Sequence, residues 1–389
     1  MEMIDLDGTG ALLLIGDSER SADMLYATGF NAPDPFVFLQ TEHTTYLLIG
    51  DLELDRARDQ ARVDEVLSLS RYDKLAAEGR DEAANGEDYQ ARRYRALMLL
   101  MEELGVRSAK VPADFPVGAA DVLRQAGFRL EVATGPLFPH RSRKEPGEID
   151  AIVQALAAAQ SSMGCAIEAI RNSSVDAEGR LVGVDGQILT SQRVRRLIHR
   201  SLLDDDCTGQ HTIVACGEDG CDPHQQGSGP LRAGQPIILD IFPRSEESGY
   251  FGDITRTVLK GKASQRLRDL YRTVEDGQRL ALERIRADVD GGDIHRAIET
   301  LFADRGFETG ERNGRMQGFF HGTGHGLGLE IHEAPSIGKR RDILQVGQVV
   351  TVEPGLYYQN LGGVRLEDVV VVEEEGCRNL TSFPKYFEV

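Results

Sequence analysis

Short apolar runs alternate with helix-period stretches through the first third of the chain. Residues 11–15, 35–40 and 44–49 predict strands, the last two joined by a short polar link around Glu42. Residues 88–104 carry Tyr94, Leu97, Met98, Met101 and Leu104 at helical spacing. A strand at Ser108–Val111 and a helix through 119–125 follow, giving a small α/β domain in which catalytic residue types do not cluster. Prolines and basic residues then break the pattern over 136–146, which reads as a linker. The expected organisation is a first domain at 1–138, a linker at 139–147 and a second domain at 148–389.

The second domain opens with an alanine-rich helix over 148–171, with Pro146 near its first turn. Thr190 and Ser191 are cap candidates for a helix at 192–203. Strands are predicted at 212–215, 236–242 and Ile254–Leu259. Ser264 then caps a helix running to about Arg286, and another helix spans 293–305. The tail returns to strands at Val349–Val352 and 364–372, and no repeat of solenoid length is present.

Composition narrows the partners. A chain of 389 residues exceeds one ordinary core, and its 41% apolar content is enough for globular folding. The net charge is −19, and the densest basic stretch, RVRRLIHR at 193–200, fits one face of a helix. A phosphate-backbone binder needs a positive face, so nucleic acid is not an expected partner. The apolar runs are too short to cross a bilayer, and the start MEMIDLDGTG lacks the basic and apolar regions of a secretory signal. A cytoplasmic protein with no membrane partner is the expectation. The five cysteines are odd in number and scattered, and the Cys216/Cys221 spacing is not that of a zinc knuckle.

The chemistry sits where strand patterns are interrupted by acids. PIILDIF at 236–242 is a buried-strand run broken only by Asp240, and YFGDITRT places Asp253 at the head of the next strand. Burying an unpaired carboxylate costs several kcal/mol or forces its protonation, so such groups need a cation or many donors. Taken alone, this pair is also compatible with structural ion pairing to a buried arginine. The pattern recurs, however, in VVTVE, which ends on Glu353, and in VRLEDVVVV, which carries Glu367. Four acids brought together by two hairpins would repel strongly without divalent cations. Between the hairpins lies HGTGHGLGLEIHE, residues 321–333, with three of the nine histidines in a glycine-rich stretch. Oxygen ligands with one imidazole suit Mn2+ first, with Co2+, Zn2+ or Fe2+ also compatible. Two such ions about 3.5–4 Å apart can share a water and lower its pKa towards neutrality, which is the chemistry of hydrolysis.

The order Asp, Asp, His, Glu, Glu in ILDIF, GDITRT, HGTGHGLGLEIHE, TVEPGLY and GVRLEDVVVV resembles the pita-bread metallopeptidases. It is most similar to their Xaa-Pro aminopeptidase and Xaa-Pro dipeptidase (prolidase) branch. The likeness is specific from about Lys144 onward and looser in the first third, which resembles the creatinase-type N-terminal domain. It implies an α+β fold, with a C-terminal pita-bread catalytic domain that hydrolyses the bond before proline with a metal-bridging hydroxide and a smaller N-terminal α/β domain, and a homodimer. Position by position, it makes Asp240 a ligand of one metal and Asp253 and Glu367 the ligands shared by both. His325 and Glu353 complete the other, with Glu353 also the proton shuttle. His224 then stabilises the tetrahedral intermediate, and His332 touches the scissile peptide. His321, Arg365 and Tyr250 are expected to face the substrate, a small proline-containing peptide, with Arg365 either holding a substrate carboxylate or orienting Glu367. Phe242, Pro243 and Arg244 follow Asp240 where the family has small residues, so a narrowed pocket is expected. The moderate length leans towards a dipeptidase. The alternatives are a same-fold metallopeptidase with a non-proline substrate, such as a methionine aminopeptidase, a metal-free creatinase-like hydrolase, and a non-catalytic binding protein. Each is disfavoured by the first domain or by the intact ligand set.

Overall fold

A computed structural model describes residues 10–77 and 89–389. Asp88, at the predicted start of a helix, and the acidic first nine residues lie outside the described ones. The chain divides into two compact units, Met1–Arg141 and Ser142–Val389.

In the first unit, β1 (Leu12–Gly16), β2 (Phe36–Gln40) and β3 (Thr45–Ile49) form an antiparallel meander. β4 (Glu65–Ser68), β5 (Ser108–Val111) and β6 (Arg129–Val132) are paired parallel, giving a six-stranded sheet of order β4-β3-β2-β1-β5-β6. Parallel neighbours need crossovers, and helices supply them. The helices are α1 (Ala22–Thr28), α2 (Leu54–Gln60), α3 (Leu69–Ala77), α4 (Tyr89–Glu103) and α5 (Val117–Gln125). Side chains alternate across a strand, so Leu13 joins Leu97, Met101 and Leu123 on one face. Leu12 and Leu14 join Met24 and Ala57 on the other.

The second unit begins with α6 (Pro146–Arg171), whose first turn closes reciprocally between Glu145 and Glu148. The hairpin β7 (Ser174–Val175) and β8 (Leu181–Val182) leads to α7 (Ser191–Asp204), capped by Thr190 as the sequence predicts. β9 (Cys207–Gly209) pairs with β12 (Pro243–Ser245), while β10 (Ile213–Cys216), β11 (Pro236–Ile241) and β13 (Ile254–Leu259) form an antiparallel sheet. α8 (Gln265–Arg284) is capped by Ser264, and α9 (Gly291–Asp304) by Asp290. After the hairpin β14 (Gly310–Arg312) and β15 (Arg315–Gln317), a five-stranded sheet is built from β16 (Gly324–Gly326), β17 (Glu333–Ile337), β18 (Val349–Val352), β21 (Asp368–Val372) and β22 (Cys377–Asn379). Core residues from α6 and α7 pack with Ile237, Leu239 and Val369, and those from α8 and α9 pack with Val350, Val352 and Val370. Layers of helix thus cover both faces of the strands.

One expectation needs correction. The run 364–372 is not one strand: β20 (Gly362–Arg365) pairs with β19 (Gly355–Tyr358), and β21 pairs with β18. The chain changes partners at Leu366–Glu367, which frees the Glu367 side chain from any ladder face. Among the described residues, no helix is long and apolar enough to cross a membrane.

Candidate metal centre

Strand alternation decides which side chains can meet. On β11, Ile237, Leu239 and Ile241 enter the core under α6, so Asp240 emerges on the opposite face. Asp240 lies opposite Thr255 of β13, and Asp253 directly precedes that strand. In the second sheet Val352 pairs with Asp368, so the next position of each segment, Glu353 and Glu367, comes face to face. Gly324 and Gly326 let β16 approach closely: a Cβ at Gly324 would stand 1.9 Å from the Thr351 carbonyl oxygen. That approach brings His325 between the two pairs of acids.

Ligand atoms of Asp253, His325 and Glu367 lie within 4.8 Å of one another. His325 Nε2 is 3.4 Å from Glu353 Oε1 and 3.9 Å from Asp253 Oδ2. Its Nδ1 is 3.1 Å from the Gly326 carbonyl. A carbonyl only accepts, so Nδ1 carries the proton and the neutral ring turns its Nε2 lone pair towards the acids. Burial and the neighbouring His332 hold His325 down to about 4, which keeps it neutral near pH 7. Thr255 Oγ1 donates to Glu367 Oε2 at 2.8 Å.

The acids are in deficit of positive charge. Burial first, then repulsion from Glu367, Asp240 and Glu353, pushes Asp253 well above the usual carboxylate range. Glu367 is raised well above its ordinary value by burial and by Glu353 and Asp240, and Glu353 is raised to about 7, chiefly by burial. Among the described residues, Arg365 is the one cation against the acids and meets only part of the deficit: it donates to Asp240 Oδ2 at 2.5 Å and to the Tyr357 hydroxyl at 3.1 Å, and stands 4.0 Å from Glu353. Asp253 Oδ1 is buried with no hydrogen-bond partner among the described residues. An orphaned carboxylate oxygen beside an imidazole lone pair and further acids fits a divalent cation, so the donor set suits the metals expected from the sequence.

Around these groups lies a cavity of about 830 Å3. Asp240, Asp253, His325, Glu353 and Glu367 all line it, as do His224, His321, His332, Arg365 and Phe242. His321 Nδ1 donates to the Gly322 carbonyl, so its Nε2 accepts the Tyr357 hydroxyl proton at 2.8 Å. The rings of His325 and His332 meet edge to face at 4.4 Å. Tyr250 is the exception. It is not among the cavity-lining residues: its hydroxyl donates to Glu148 and its ring packs on the core beneath α6, so the expected substrate contact is withdrawn. Sequence reasoning missed Tyr357, which bridges His321 and Arg365, although it closely follows Glu353 in the same motif. It also missed Thr255, whose place opposite Asp240 follows from the strand register.

Residues 150–374, more than half of the chain, match the sequence profile of metallopeptidase family M24. The chain belongs to metallopeptidase family M24. An uncharacterised peptidase of Bacillus subtilis, YqhT, is 38% identical over 182 residues, 46% of this chain and 49% of that one. The chain thus spans about half the length of several curated relatives it matches. A Xaa-Pro dipeptidase of Pyrococcus horikoshii aligns over 98% of this chain and 95% of its own at 24% identity. Among solved structures, the X-Pro aminopeptidase of Thermotoga maritima superposes with a TM-score of 0.80 at 24% identity, covering 98% of both chains. The prolidase of Pyrococcus furiosus gives 0.77 at 20%, covering 97% of this chain and 98% of that one. These likenesses establish the fold: α+β, a C-terminal pita-bread domain with a smaller N-terminal α/β domain.

Proposed function

We propose that this protein is a two-metal peptidase that cleaves the bond preceding proline, in Xaa-Pro dipeptides or at the N-terminus of Xaa-Pro peptides. The observation that carries the reading is the convergence of Asp240, Asp253, His325, Glu353 and Glu367 on one cavity with an acid surplus. These five residues would hold two divalent ions, Mn2+ first. The ions, when bound, supply electrophilic polarisation of the scissile carbonyl and acidify a water.

The protein's own groups do the rest. Glu353, raised to about 7, is matched to accepting and releasing a proton near neutral pH, which suits the shuttle between water and leaving amine. His224 and His332 line the cavity, where a donor can meet charge developing on the carbonyl oxygen. His321, held down to about 3 by burial and the Arg365 charge, is a neutral wall rather than a proton carrier. Arg365 fixes Asp240 by direct hydrogen bonding. An Xaa-Pro bond has no N–H, so strand-like docking is lost there and shape must replace it. Ile213, Phe242, Phe320 and Ile331 offer an apolar lining for the proline ring and its neighbour. The named activities of the dipeptidase and aminopeptidase relatives support the proline reading. A homodimer and a cytoplasmic location belong to the same proposal, and sedimentation velocity and cell fractionation test them.

The deciding experiment measures bound metal, together with hydrolysis of a Gly-Pro dipeptide and an Xaa-Pro-Xaa tripeptide after Mn2+ addition. Metal-dependent cleavage of either is expected. Absence of bound metal and of cleavage leaves a non-catalytic binding protein of this fold. Cleavage confined to peptides without proline leaves a different substrate.

A further inference from the structure

A second buried polar cluster lies behind the acids. Strand alternation sends Thr255 and Thr257 of β13 towards the Glu367 and Arg365 segment, where both hydroxyls are engaged, and sends Arg256 the other way. Arg256 is 1% exposed, the largest fully buried side chain among the described residues. Its Nη1 donates to the carbonyl oxygens of Thr255 at 2.9 Å and Glu367 at 2.6 Å. Its Nη2 donates to Asp368 Oδ1 at 2.8 Å and to the Phe383 carbonyl at 2.6 Å, and its Nε reaches the Pro384 carbonyl at 3.3 Å. The second oxygen of Asp368 accepts from Lys385 at 2.8 Å and Asn379 at 3.2 Å.

One rigid guanidinium therefore joins three chain segments: β13, the break at Glu367 where the chain leaves every ladder, and the C-terminal segment 383–385. The Glu367 amide also donates to the Thr255 carbonyl at 3.0 Å, so the backbone of Glu367 is held from both of its polar groups. Without a ladder at this position, those bonds and Thr255 Oγ1 are what aim the carboxylate. A planar fork suits this task, whereas an ammonium could satisfy only part of it.

We propose that Arg256, braced by Asp368, Lys385 and the C-terminal segment, is a positioning residue that sets divalent-metal affinity by orienting Glu367. The inference rests on the metal-site reading above. It makes the C-terminal segment a working part of the centre rather than a covering strap.

The test uses metal-free protein and the variants Arg256→Lys, Lys385→Met and Ile198→Ala. Each is titrated with Mn2+ by calorimetry, and each urea unfolding midpoint is measured in chelator. Arg256→Lys is expected to weaken Mn2+ binding about 10- to 100-fold, the range for loss of an orienting partner of a metal ligand. Lys385→Met shifts affinity in the same direction by less. Ile198→Ala removes core packing on α7 and changes none of the groups that Arg256 bonds, so it lowers the urea midpoint with parental affinity. Unchanged affinity in Arg256→Lys, or affinity that simply follows the urea midpoint across all three, overturns the proposal. Should Arg256→Lys fail to fold, Lys385→Met decides on the same criteria. A parent protein that binds no Mn2+ removes the metal-site reading itself, and this inference with it.

Discussion

Asp253 and Asp368 are both buried, 4% and 1% exposed, yet they live in opposite electrostatic settings. Asp368 is saturated: Arg256, Lys385 and Asn379 occupy its two oxygens. Asp253 has a bare oxygen, an imidazole as its nearest base and three acids around it. The protein supplies its own counter-charge to one carboxylate and withholds it from the other. A buried acid is therefore not in itself a sign of function. A buried acid left in deficit is, because only an external cation or a proton can complete it.

The largest expected effect comes from the group whose proton affinity is tuned for transfer. Glu353→Gln should lower turnover about 10²- to 10⁴-fold while metal remains bound, as loss of a general acid/base does. Turnover near the parent value would remove Glu353 from the shuttle. The next test contrasts the two aspartates directly, using urea unfolding of metal-free protein near neutral pH. Asp368→Asn breaks a buried pair and should destabilise by roughly 3–5 kcal/mol. Asp253→Asn should instead raise the midpoint, since the amide mimics the protonated acid without the cost of protonating it. The same sign for both variants would erase the contrast.

Acidity gives a smaller and separate check. In the metal-free fold Glu353 holds its proton up to about 7, whereas its ordinary value is 4.5. The folded state then binds more protons than the unfolded one in that window, so stability falls as pH rises through it. The contribution is fully present below 4.5 and is lost by about 7, in the same direction as the upward shifts of Asp253 and Glu367. Unfolding midpoints measured across this window in chelator should decline with pH. A rising midpoint would mean that the acids are already paired.

The residue pattern made much of the site readable. A single acid inside an apolar strand is an anomaly of period, so Asp240, Glu353 and Glu367 stood out, and the glycine-rich histidine stretch pointed to a close backbone approach. Long-range pairings carried no such local mark. Arg365 meets Asp240 across 125 positions, and Arg256 meets Asp368 across 112. The break at Leu366–Glu367 was hidden because both flanks are strand-like, and only the change of sheet partner creates it. Tyr250 was misplaced for a related reason: its expected substrate contact rested on the resemblance, while a long-range partner, Glu148, takes its hydroxyl. In the first unit, the short apolar runs marked the first three strands, but nothing local specified the parallel pairing of β3 with β4.

The most direct test of the central claim is a calorimetric Mn2+ titration of metal-free protein just below neutral pH, in two buffers of different ionisation enthalpy. The account predicts two ions bound per chain with net release of protons, because the raised acids must give up theirs to ligate. It also predicts that Glu367→Gln weakens the binding of both ions. Absence of binding, or binding with no proton release and no sensitivity to Glu367, would contradict it.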